Sequence, residues 1–177
     1  MKLWTILNRA IVGWQMIVRG QPGWRSQFTI STAGLVTALF MFAFVAFLAV
    51  AIASTSIGMP GGLGVLTAIV VLALPVVSMV ATLMISRNFL KSQVPLLPVL
   101  VPGVYALTAF LVFEGLLATI GGPIVMLAWL GLGYLLFRLA RVALDWSIGI
   151  ALGFAVLTVV LLVAMRLALY MVSYASL

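Results

Sequence analysis

Two side chains are placed to do chemistry inside a membrane, Glu114 and Arg166, each standing within a long apolar run. An ionisable residue in such a run is costly and is normally paired or functional. Glu114 lies seven residues before Gly121, and Arg166 lies eight before Tyr174. At about 1.5 Å per helical residue both fall roughly 10 to 12 Å below the same membrane boundary. The matched depth predicts an ion pair in which each group offsets the desolvation of the other. The alternative is that Arg166 snorkels to the headgroups while Glu114 stays protonated. Glu114 is also the one carboxylate that could serve proton coupling, but a relay strings several titratable groups across the membrane.

Other chemistry is removed by composition. The chain has no Cys and no His, so thiol nucleophiles, disulfides, zinc sites, Ser-His triads and His-ligated haem are excluded. Intramembrane aspartyl proteolysis needs two acids, and the second acid, Asp145, stands at the edge of a span beside Arg141. That spacing of four predicts a local pair or a charge at a helix N-terminus. The expectation is a non-enzyme with no cofactor and no metal. The glycines at 58–64 follow no strand and precede no Lys, so they are not a phosphate-binding loop. A pI near 11.0 reflects topology signals rather than a nucleic-acid groove.

The elements that must position Glu114 and Arg166 are membrane spans. Of 177 residues 66% are hydrophobic and 6% charged, with mean hydropathy +1.40; a water-soluble domain carries roughly a quarter charged residues. Runs of about 20 apolar residues cross a hydrocarbon core of about 30 Å, and five occur, near 33–56, 63–86, 96–119, 123–140 and 146–172. The predicted class is therefore an all-α integral membrane protein with five transmembrane helices. Lys2, Arg9, Arg19, Arg25, Arg87, Lys91, Arg138 and Arg141 all fall on one side of such a bundle, eight of the nine basic residues. Positive residues in short loops stay inside, which predicts an N-in, C-out chain; the expected setting is a bacterial inner membrane. Trp146 is expected at the inner boundary, and Tyr170 and Tyr174 at the outer.

Residues 1–30 differ in kind from 31–177. Leu3, Ile6, Leu7, Ile11, Trp14, Ile17 and Val18 recur at helical spacing until Gly20-Gln21-Pro22-Gly23 stops the pattern, which predicts an amphipathic interfacial helix and a basic linker. Arg9 interrupts the first apolar run, so a cleavable signal is not expected. Lys2, Arg9, Arg19 and Arg25 form a candidate surface for anionic membrane lipids or a protein partner; the alternative is a passive anchor that sets topology.

Backbone signals complete the inventory. Pro75, Pro98 and Pro102 are candidate helix kinks, and Thr67, Ser78, Thr82, Tyr105 and Thr108 supply nearby hydroxyls. With no amide or charge beside them, a path lined by hydroxyls suits a lipid or apolar molecule better than an ion. Gly149 and Gly153 form a GxxxG motif, and Ala46, Ala49 and Ala53 form a small-residue stripe. Both allow close helix packing, within the chain or against another subunit.

A five-span chain with small loops and the lead-in Arg19-Gly-Gln-Pro22-Gly-Trp24-Arg25-Ser-Gln-Phe28 resembles small bacterial Yip1-type membrane proteins. The Asp-Leu-Tyr-Gly-Pro motif of the eukaryotic branch is absent. The resemblance carries no catalytic residue and implies a membrane-organising or partner-binding protein. The resulting expectation is a non-catalytic accessory subunit or scaffold of a larger membrane complex. The competing one is a small carrier or flippase for a lipid or apolar substrate, using Glu114 and the kinked second and third spans.

Overall fold

The computed structural model describes residues 3–57 and 61–175. Lys2 therefore lies outside the described residues, as do the side chains of Ala53 and Tyr174. Six α-helices and two short 3-10 turns account for nearly all of the rest. An amphipathic helix α1 (Leu3–Arg19) leads through a turn at Trp24–Gln27 into α2 (Thr32–Ile57), α3 (Gly62–Phe89) and α4 (Leu97–Ile120). A second turn at Gly122–Val125 precedes α5 (Met126–Ala143) and α6 (Ile148–Ala175). No strand occurs among the described residues. Five helices, α2 to α6, are long and apolar enough to span a membrane. Helices suit that solvent because they satisfy their backbone groups internally.

The helix neighbours define the bundle. α4 packs on α5, α5 on α6 and α6 on α3, with α3 returning lightly to α4 to close a four-helix ring. α2 is applied to the outside of this ring along α4. Its buried seam is Gly34, Ala38, Phe42 and Ala46, one residue per turn. Small residues at that spacing let the two helix backbones approach closely. Ala46 belongs to this seam, whereas Ala49 is only partly buried.

Alternation of the spans brings the start of α2, the end of α3, the start of α4, the end of α5 and the start of α6 to one end of the bundle. Arg9, Arg19, Arg25, Arg87, Lys91, Arg138 and Arg141 collect there. Three helices stop at this basic end on a left-handed residue, Gly20 (φ 70°) after α1, Lys91 (φ 48°) after α3 and Asp145 (φ 52°) after α5. Such a residue lets the following amides return to the last carbonyls: Gln21 N–H donates to Met16 O at 2.9 Å and Ser92 N–H to Arg87 O at 3.0 Å. Asp145 is therefore the turn residue that ends α5, and among the described residues it makes no ion pair. Arg141, expected to pair with it, instead donates to the carbonyl of Trp146 at 2.6 Å. Entry into α2 is capped by Ser31, whose Oγ accepts from Gly34 N–H at 3.1 Å. The chain folds so tightly there that a Cβ at Gly34 would collide with the Thr29 carbonyl.

α1 is docked on the basic end. Ala10, Gly13 and Ile17 are buried at a spacing of three and four, so one face of the helix meets protein. The indole N–H of Trp14 donates to Pro102 O at 3.1 Å, and Arg138 Nη2 donates to Ile17 O at 3.2 Å. Gly13 seats the Phe28 ring, which would lie 2.5 Å from a Cβ at that position. Trp146, expected at an interface, is buried and meets Phe154 edge-on with centroids 5.7 Å apart.

Candidate functional site

Glu114 on α4 and Arg166 on α6 meet. Arg166 Nη1 donates to Glu114 Oε1 at 2.6 Å and Nη2 donates to Oε2 at 3.1 Å, a two-pronged geometry that only the planar guanidinium offers. The side chains are 23% and 16% exposed. Two rings complete the site. The guanidinium carbon lies 4.9 Å from the Trp129 ring centroid and 5.9 Å from that of Phe110. These rings pack edge to face at 5.3 Å. Phe110 is one turn before Glu114 on the same face of α4, and Trp129 comes from α5. The electron-rich ring faces stabilise the cation where water is scarce.

The arrangement differs in one respect from a simple joining of the third and fifth spans. α4 and α6 are not principal packing neighbours; α5 packs against both, and the ion pair reaches past it. Both carboxylate oxygens are engaged by Arg166, so the site works as a three-helix clasp and is poorly disposed to pass a proton. Arg166 Nε is buried without a partner. Among the described residues this is the sole ion pair, and no group of three His, Cys, Asp or Glu residues stands close enough to hold a metal.

A second polar contact joins α3 to α6. The Thr82 and Thr158 hydroxyls, both fully buried, are 2.7 Å apart, and each also reaches a carbonyl of its own helix, Ser78 O at 2.8 Å and Phe154 O at 2.8 Å. Ser78 Oγ donates to Pro75 O at 2.9 Å, and Thr108 Oγ1 to Val104 O at 2.9 Å. The buried hydroxyls are thus spent on backbone rather than aligned as a path. Thr158 escaped the sequence reading although it shares a face with Phe154 and Leu162 at a spacing of four.

The prolines divide. Pro75 lies inside α3 and Pro102 inside α4, where each removes one main-chain hydrogen bond. Pro98 is in the first turn of α4 and is not a kink: an amide there has no helical acceptor to lose, and the fixed φ of proline suits a helix start. The GxxxG motif also resolves. Gly149 and Gly153 are exposed, and a Cβ at either would have nothing within 4 Å, so these glycines make no close packing inside the chain.

The basic residues of the lead segment part company. Arg9 is partly buried and donates to Ser26 O at 2.5 Å. Arg25 stands over the Trp24 ring at 5.4 Å. Arg19 is exposed and lines a groove of about 1010 Å³ between α1, α2 and α4, at the upper end of the roughly 300–1,000 Å³ usual for small-molecule sites. Its walls are Leu7 and Ile11 from α1, Phe40 and Phe44 from α2, and Val112 and Phe113 from α4.

Fold and site together define an all-α, multi-pass membrane protein. Comparison with protein families, with curated proteins and with solved structures gave no match.

Proposed function

We propose that the protein is a non-catalytic accessory subunit or scaffold of a larger membrane complex, bound through its transmembrane helices. Its setting in this reading is a bacterial inner membrane, and the retention of positive residues inside supports a cytoplasmic basic end. The observation that carries the reading is the outward face of α6. Gly149 and Gly153 leave a helix surface on which another backbone could lie closely, and their own chain does not use it. The resemblance to Yip1-type proteins agrees with such a role. Replacing Gly149 and Gly153 by Leu should release the natively expressed chain from its complex in mild-detergent affinity purification, while its own melting temperature stays within 1 °C or so, as expected for exposed positions. Recovery of a lone chain from the unmodified protein would overturn the reading. A carrier or flippase for a lipid or apolar substrate is the second reading, favoured by the groove between α1, α2 and α4; its test is lipid transfer in liposomes holding the purified chain alone.

A further inference from the structure

The groove has a polar end and an apolar length. Its polar end is the last turn of α1, where Gln15 and Arg19 sit four residues apart and so project from the same helix face. Beyond them the lining passes to Leu7 and Ile11, then to the aromatic and branched side chains of α2 and α4. The hydroxyl of Thr108, which also lines it, is already committed to Val104 O.

The groove reaches from the basic end to the middle of the bundle. Its lining on α2 runs from Phe40 to Val45 and on α4 from Tyr105 to Phe113, about 12–20 Å and 12–24 Å along those helices from Thr32 and Leu97, against a hydrocarbon core of about 30 Å. The sign of charge at its mouth is equally defined. Arg19 is exposed there, and neither acid of the chain is at hand to neutralise it: Glu114 is held by Arg166, and Asp145 belongs to the connection between α5 and α6.

We infer that the groove is a binding site for one anionic glycerophospholipid of the leaflet at the basic end, with its phosphate on Arg19 and Gln15 and its acyl chains between α1, α2 and α4. The lipid completes the seat of α1, whose other face is held at Ile17 by Arg138. This inference uses the membrane-spanning fold and is independent of whether the protein serves a larger complex.

The test uses the full chain, reconstituted in vesicles of equal phosphatidylglycerol and phosphatidylcholine, extracted in mild detergent and weighed by native mass spectrometry. One phospholipid per chain is expected, with phosphatidylglycerol enriched about fivefold, the factor that one basic residue near an anionic surface supplies. Arg19→Gln, at an exposed position, should abolish the enrichment while a lipid stays bound. Ala109→Trp, which fills the groove from an exposed position on α4, should remove the lipid. Val160→Trp, exposed on α6, should leave both lipid and preference unchanged. A lipid-free chain, a dimer in place of the lipid, equal retention of both lipids, or enrichment that survives Arg19→Gln would each overturn the site, and these readings do not depend on the tryptophan variants folding.

Discussion

α2 and α4 are the two helices most closely packed together, and they occupy opposite positions in the molecule. α4 is central, with 56% of its apolar window buried, whereas 17% of the α2 window is. α2 is nonetheless the more hydrophobic of the two. In water the reverse order would hold, because apolar surface gains by leaving the solvent. In lipid that gradient is absent, and helices associate through close packing and polar contacts. α4 carries what such contacts require: Glu114 for the clasp and Pro102 O for Trp14. α2 carries Phe40 and Phe44 on the wall of the open groove and Phe47 outward, each more than half exposed, as suits a helix bathed in hydrocarbon.

The comparison breaks most readily at Arg166. In Arg166→Met the Glu114 carboxylate loses both donors and the cation above Trp129, leaving a buried acid with no counter-charge. Loss of one partner from a buried pair costs about 3–5 kcal/mol, so detergent unfolding should shift by that order. Adding Glu114→Gln to Arg166→Met should recover much of the loss; a double variant whose loss equals the sum of the two singles would show that the pair contributes nothing as a pair.

The next largest effect tests the seam. Ala38 is fully buried on the face of α2 that meets α4. Ala38→Leu would force the helices apart, an overpacking worth about 1–3 kcal/mol. Phe47→Leu on the same helix, at 67% exposure, should change stability by less than about 0.5 kcal/mol. Equal responses at the two positions would mean that α2 has no preferred face.

What the sequence could show follows the same division. The spans were legible because apolar length alone decides them in lipid; the helices end close to where the apolar runs end. The ends differ where charge belongs to the helix: the fourth span was expected to stop at 140, yet α5 runs to Ala143, because Arg138 and Arg141 remain helical and donate to the carbonyls of Ile17 and Trp146. The clasp was half legible. Glu114 and Arg166 betray themselves by charge and matching depth, but Trp129 reads as one more apolar residue until the bundle closes around it. The groove was illegible, since its walls depend on α1 folding back against α5 and α4, across the groove from α2, and periodicity within α1 does not say which neighbours its second apolar face will meet. Gly149 and Gly153 form a packing motif by spacing alone; only the folded chain shows that they face away from their own bundle.

The smallest effect concerns the other polar contact of the ring, between Thr82 of α3 and Thr158 of α6. Its two hydroxyls are fully buried, and in lipid no water can replace the bond between them. Each hydroxyl, however, retains a carbonyl on its own helix within 2.8 Å, so breaking the bond between them strands no donor. Side-chain hydrogen bonds between membrane helices average about 0.6 kcal/mol for the same reason. Thr82→Val and Thr158→Val should therefore each lower stability by about that amount, and the double variant by little more than either single, since one shared bond is lost in all three. A loss from Thr158→Val comparable to that from Arg166→Met would overturn this ordering, placing the weight of the ring on the α3–α6 contact rather than on the clasp that α4 provides.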